Sequence, residues 1–114
     1  MDNFQLYLSY INLNADLDNF DLIRAWADER GIYKEGNSHT QYVKLMEEAG
    51  ELAQGLLKKD AYEVKDAIGD MVVVLTNLAA LEGMQIESCI ESAYNEIAKR
   101  KGKMINGTFV KQTL

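Results

Sequence analysis

The sequence predicts an all-α domain, and three observations carry that prediction. The 114 residues include no proline, so nothing removes an amide donor from the middle of a helix. Alanine, leucine, glutamate and lysine, which lose least on entering a helix, are plentiful. Apolar residues recur at three- and four-residue spacing from Asp18 onward, the period of an amphipathic helix. A chain of 114 residues that is 47% hydrophobic fits one domain, residues 1–114, large enough for a core, and argues against disorder.

Residues 1–17 form an N-terminal arm whose FQLYLSYINL pattern reads either as a short strand or as an irregular segment. The first helix starts at Asp18, carries Phe20, Ile23, Trp26 and Ala27 on one face, and stops at Gly31. Trp26 reads either as a core anchor or as an indole platform for a nucleobase. Residues 33–38 are expected to be a connection, with Gly36 and Asn37 as the turn signal and Ser38 with Gln41 as a capping box. The second helix, residues 39–58, directs Val43, Met46, Ala49/Gly50, Leu52/Ala53 and Leu56/Leu57 toward a core. Gly50 costs about 1 kcal/mol relative to alanine inside a helix, which points to close approach of another helix. The third helix, residues 61–82, is capped by Asp60 with Glu63 and closed by Gly83. Its MVVVLTNLAAL stretch is apolar nearly all round, the mark of a central or shared helix. A buried strand is the rival for MVVVL alone. Asn77 interrupts this layer and either meets a ligand or satisfies a neighbour. The fourth helix, residues 86–101, faces Ile86, Ile90, Ala93 and Ile97 inward and ends at Gly102. The tail, residues 103–114, holds an Asn106-Gly107 turn signal and is expected to fold back on its own or a neighbouring subunit.

The chemistry concentrates between Lys44 and Asn77. Successive helical residues advance by about 100°, so Glu48 and Glu51 lie about 60° apart and Glu47 and Glu51 about 40° apart. Like charges so placed destabilise a bare helix, and Lys44 neutralises only part of them. Asp66 and Asp70 share one face of the next helix, and Asp70 leads directly into the apolar run. An unpaired carboxylate there costs several kcal/mol or takes up a proton. A divalent cation removes the conflict, and oxygen donors without nearby Cys or His favour Mg²⁺, with Mn²⁺ also fitting.

The EExxE of Glu47, Glu48 and Glu51, followed by DAIGDMVVVL and the ending AYNEIAKRKGKMINGTFVK, resembles the MazG-like nucleoside triphosphate pyrophosphohydrolases of the all-α NTP pyrophosphatase superfamily, small phage and bacterial type. The resemblance spans roughly residues 20–112. It implies a four-helix bundle-like fold and magnesium held by carboxylates. It also implies hydrolysis of a nucleoside triphosphate, expected to be a deoxynucleotide, to monophosphate and pyrophosphate, in nucleotide-pool control or house-cleaning. In that family EExxE pairs with ExxD. Here Ala67 stands where the Glu is expected if Asp70 is the Asp, so Asp66 with Asp70 is the preferred pair and Glu63 with Asp66 the reserve. On this reading Glu48, Glu51, Asp66 and Asp70 hold the metal, and Glu47 orients or deprotonates the attacking water. Gln41, Lys44 and Trp26 are candidates for sugar and base. Asn95, Lys99 and Arg100 are candidates for the β- and γ-phosphates, although the basic cluster Lys99–Lys103 also suits a solvated helix C-terminus. Family members assemble as dimers or tetramers with sites near subunit contacts, so a homodimer or homotetramer is expected.

Other features narrow the classes. A net charge of −6 disfavours a nucleic-acid polymer as partner. His39 is the single histidine, which argues against a di-iron carboxylate bundle. Cys89 is alone, no apolar run reaches membrane-spanning length, and the N-terminus lacks a basic signal start, so a cytoplasmic protein with no membrane partner is expected. A noncatalytic helical interaction module and a phosphoribosyl-ATP pyrophosphohydrolase are the alternative functions.

Overall fold

The structure, a computed structural model, describes residues 17–112. Apart from residue 17, the expected N-terminal arm lies outside the described residues. Five helices follow in order: α1 (Asn19–Glu29), α2 (Ile32–Glu35), α3 (Ser38–Lys58), α4 (Ala61–Leu81) and α5 (Ile86–Ile97). A hairpin of β1 (Gly102–Ile105) and β2 (Thr108–Lys111) ends the described chain. The all-α class stands.

Local chemistry sets the boundaries. The Asp18 carboxylate caps α1 by accepting from the Asp21 amide at 3.0 Å, and Gly31, at φ 80°, ends it. The expected connection after Gly31 instead winds into the single turn α2, whose Gly36 amide donates to the Ile32 carbonyl at 2.8 Å. The cap of α3 is Asn37, one residue before the expected Ser38, and its side chain accepts from the Thr40 amide at 2.9 Å. Ser38 donates to the Glu82 carboxylate at 2.6 Å, tying the start of α3 to the end of α4. Asp60 caps α4 through the amides of Tyr62 and Glu63. At its end, Gly83 (φ 76°) lets the Met84 and Gly83 amides return to the Ala79 and Ala80 carbonyls, a Schellman closure.

The helix α4 packs against every other helix, as its all-round apolar sequence requires. Its main partner is α3, joined to it through Lys59 and Asp60 alone, so the two form an antiparallel αα-hairpin. The face of α3 turned to α4 is Leu45, Glu48, Leu52 and Gly55. This corrects the expected core face: Leu52 alone of the large residues named for it turns inward, while Val43, Met46, Leu56 and Leu57 are exposed. The close approach belongs to Gly55, where an added Cβ would lie 3.1 Å from the Val64 amide nitrogen; at Gly50 it would meet nothing.

A further correction concerns α5. It leaves α4 through a bend of 104°, and Ile90, Ala93 and Ile97 are exposed rather than inward. The helix also stops at Ile97, because Gly102 opens β1 instead of closing a helix. The expected turn at Asn106-Gly107 is present, with φ of 51° and 81°, and joins strands in the register Ile105↔Thr108 and Met104↔Phe109. The tail is therefore a regular hairpin of the chain's own residues. The described chain does not close a four-helix bundle, and its radius of gyration of 17.5 Å exceeds the roughly 13 Å of a compact chain this long. Among the described residues no single helix is long and apolar enough to cross a membrane.

The Arg24 guanidinium ties α1 to α5, donating to both Glu87 carboxylate oxygens at 2.7 and 2.6 Å and to Asp21 at 2.9 Å. Hydrogen bonding to Arg24 holds the Glu87 carboxyl below its ordinary range. The stabilisation is therefore complete above the unfolded carboxylate pKa and is lost as pH falls through the lowered folded value. Because Glu87 is 37% exposed, Glu87→Gln is expected to cost about 1 kcal/mol or less at neutral pH. Urea unfolding across pH checks this: the gap between variant and wild type closes in acid.

Candidate active site

The antiparallel pairing of α3 with α4 carries the acidic residues of both helices to one place. Carboxylate oxygens of Glu48, Glu51 and Asp70 lie within 4.8 Å of one another. Glu48 sits on the inward face of α3 and is only 5% exposed. Its Oε1 lies 3.4 Å from Lys44 Nζ, and its Oε2 is buried and accepts no hydrogen bond from the described residues. Burial, then the charges of Asp66 and Glu48, push the Asp70 carboxyl above its ordinary value, with Lys44 opposing. The bond to Glu48 in turn raises the Lys44 ammonium pKa.

A second acidic group shows what a protein-neutralised cluster looks like. Asp18, Asp21 and Glu87 are equally close, yet Arg24 pairs with two of them. At Glu48, Glu51 and Asp70 the single ion pair among the described residues comes from Lys44, which is exposed and shared with Glu47 at 3.6 Å. A buried carboxylate oxygen without a donor, in an all-oxygen set drawn from two helices, fits a hard divalent cation. The residues present suit the group.

The remaining predicted residues divide by position. Asp66 is exposed and lies with Asp70 on the wall of a cleft of about 840 Å³ between α1 and α4. Trp26, 40% exposed, lines the same cleft with Leu22 and Ile23 and carries Arg30 over its ring at 5.5 Å. Glu47 stands exposed beside Lys44 at the edge of the cluster. The reserve residue Glu63 is in the first turn of α4, paired with Lys58 at 3.9 Å and apart from the clustered acids. Gln41 is half-buried on the inward side of α3 and does not line the cleft. Asn95, Lys99 and Arg100 are exposed on α5 and the segment after it. Lys99 and Arg100 line a separate hollow beside Lys111, so a single chain does not bring them to the acids. Asn77 is 2% exposed and its amide oxygen accepts from the Tyr33 hydroxyl at 2.7 Å. Its amide oxygen is committed to the core, out of reach of a substrate.

Several cleft residues escaped the sequence reading, Tyr62 and Lys65 among them. Tyr62 and Lys65 line it together with Asp66, Gly69 and Asp70. Their three- and four-residue spacing was the available signal, hidden because Lys65 reads as an ordinary solvated lysine.

Two expectations test these placements. Asn77→Ala should cost about 1–3 kcal/mol by leaving the Tyr33 hydroxyl without an acceptor, and adding Tyr33→Phe should recover part of it in urea unfolding. For Asp70, the raised folded pKa means that stability is lost as pH rises from the unfolded to the folded value. Metal-free Asp70→Asn is therefore expected to melt above wild type at neutral pH, with the gap closing in acid. Added Mg²⁺ or Mn²⁺ should raise the melting temperature of wild type more than that of the variant.

A family model described as the MazG nucleotide pyrophosphohydrolase domain matches residues 37–105, more than half of the chain. Over 57 residues the chain is 42% identical to an uncharacterized 18.2 kDa protein in the rep-hol intergenic region of Haemophilus phage HP1 (strain HP1c1). That alignment covers 50% of this chain and 35% of the phage protein. No solved structure matches the chain significantly.

Proposed function

The chain belongs to the MazG nucleotide pyrophosphohydrolase family, and we propose that it hydrolyses a nucleoside triphosphate to nucleoside monophosphate and pyrophosphate with Mg²⁺, or Mn²⁺, as cofactor. One observation carries the reading: the buried Glu48 oxygen that accepts no hydrogen bond, inside a carboxylate set from two helices. A cleft of about 840 Å³ adjoins it, within the range of small-molecule sites.

Glu48, Glu51 and Asp70, with Asp66 beside them, would hold the metal. Bound there, it supplies neutralisation of phosphate charge and acidification of water. Glu47, exposed at the edge of the set, takes the proton from a water that attacks the α-phosphorus, and the electron pair of the broken bond leaves with pyrophosphate. Lys44 places its ammonium 3.6 Å from the Glu47 carboxylate and 3.4 Å from that of Glu48. Trp26, Leu22 and Ile23 offer an apolar wall on which a base can stack, and Lys65 offers a cation to the phosphates. Deoxynucleotides are the proposed substrate class, the cytoplasm the proposed compartment, and control of the nucleotide pool the proposed role.

The test is ³¹P NMR of the protein with Mg²⁺ and a panel of canonical and modified triphosphates, dUTP and dCTP included. Pyrophosphate with monophosphate is the expected product. Orthophosphate with diphosphate would contradict the cleavage position, and no turnover by the folded protein would favour phosphoribosyl-ATP as substrate first and the noncatalytic interaction module next. Glu47→Gln is expected to lower kcat by about a hundredfold or more while keeping the metal-dependent rise in melting temperature. Glu51→Gln should lose both.

A further inference from the structure

The charge of this chain is divided along its length. Of its 12 cationic and 18 acidic side chains, five cations and no acid follow Glu96, so residues 1–97 carry −11 and residues 98–114 carry +5. The five are Lys99, Arg100, Lys101, Lys103 and Lys111. Each is exposed, and among the described residues none of them lies in an ion pair. The dipole of α5, which ends at Ile97, accounts for cations close to its last turn and not for Lys103 and Lys111 on the hairpin. Lysines on edge strands also discourage unwanted strand pairing. Yet Met104, Ile105, Phe109 and Val110 stand exposed between them, which solubility alone does not require.

We propose that the hairpin and the segment leading into it bind single-stranded nucleic acid, with a base on Phe109 and the phosphates on Lys111, Lys99, Arg100 and Lys101. Cross-strand partners share a face of a ribbon and successive pairs alternate between faces. Met104↔Phe109 and Gly102↔Lys111 therefore lie on one face, and Lys103↔Val110 lies on the other. Phe109 reaches across the ribbon to Gly102, where an added Cβ would lie 2.8 Å from its Cζ. The glycine leaves the ring room over bare backbone, and Phe109 stays 47% exposed. Beyond it on the same face stands Lys111, which also lines a hollow of about 560 Å³ with Lys99, Arg100, Lys101, Gln112 and Glu96. The Gln112 amide donates to the Lys101 carbonyl at 2.6 Å, which continues the ladder as far as this hollow. An exposed aromatic ring leading into a cationic hollow suits a single strand, whose unpaired base stacks while its phosphates meet the cations.

The net charge of −6, which disfavours such a partner, averages over this division. At physiological ionic strength the Debye length is about 8 Å, short against a molecule 55 Å long. The potential that a strand meets at the hairpin is therefore set by the cations beside it, and Glu96 is the one acid among the described residues that line the hollow. A duplex presents no unpaired base to Phe109. An anionic membrane fits less well, because the hairpin would enter it through the turn at Asn106-Gly107, whose polar groups would have to leave water. None of these residues lines the cleft or belongs to the acidic set, so the two sites are separate on one chain.

Fluorescence anisotropy of a labelled deoxythymidine oligonucleotide tests this on the full chain, in EDTA so that no metal bridges the strand to the acidic set. Binding is expected with a dissociation constant on the order of micromolar to tens of micromolar, weakening about fiftyfold between about 50 and 200 mM salt as four phosphates are neutralised. Phe109→Ala should weaken it at least about fivefold, and Phe109→Tyr, which keeps a stacking ring, should retain it. Lys111→Ala tests the same track without removing a packed ring: it should weaken binding and reduce the salt slope by about 0.7. Lys103→Ala, on the other face, should weaken binding less. The strand annealed to its complement should bind more weakly, and dTTP at equal nucleotide concentration should not displace the oligonucleotide. No binding at the lower salt, an affinity indifferent to salt, equal losses in Lys103→Ala and Lys111→Ala, or no loss in Phe109→Ala would overturn the proposal. So would tighter binding of the duplex, displacement by dTTP, or binding to phosphatidylserine vesicles in place of the oligonucleotide.

Discussion

The group on which the rest depends is Glu48, a carboxylate carried into the contact between α3 and α4. Helix pairs ordinarily close over apolar side chains, and a buried charge is tolerated only when it is paired. Here the neighbours on the same face are Leu45, Leu52 and Gly55. They close the αα-hairpin around Glu48, with Gly55 drawing the backbones together near the turn. Lys44 satisfies one oxygen and leaves the other without a donor. The hairpin therefore holds an electrostatic deficit in place with the rigidity of two long helices, and Asp70 adds to it from across the gap.

That arrangement costs stability. The carboxylates repel one another, and burial pushes Asp70 toward its protonated form. The comparison with Asp18, Asp21 and Glu87 shows that the same fold can neutralise acids when they serve structure: Arg24 pairs with two of the three and in doing so fixes the start of α5 against α1. Among the described residues no arginine pairs with the Glu48 set. The difference between the two clusters lies in what remains unsatisfied, and it is the unsatisfied one that opens beside a cleft.

The cleft itself depends on α1 lying across α4. Ala25 and Ala27 are buried and let α1 settle closely, while Leu22 and Trp26 remain partly open toward Asp66 and Asp70. The bond from Tyr33 to Asn77 anchors α2 to the C-terminal part of α4. The polar residue that looked available for a ligand is thus engaged in holding α2 against α4.

The sequence by itself determined four of the five helices, the cap at Asp60, the stop at Gly83 and the turn at Asn106-Gly107, because each depends on interactions within a few residues. It also placed the acids on the faces from which Glu48, Glu51 and Asp70 converge, since helical periodicity and a short connection leave little freedom. Which of two apolar faces of α3 packs inside the chain was decided only by the tertiary structure. Leu45 and Leu52 lie on one and Val43, Met46 and Leu57 on the other, and periodicity alone does not rank them. The same holds for α5, whose amphipathic pattern is clear while its direction follows from the bend at Gly83 and the pull of Arg24 on Glu87. It holds for Asn77 and Lys65 too: whether a polar side chain is spent in the core or offered to a cleft depends on which helix arrives opposite it, a contact between residues distant in the chain.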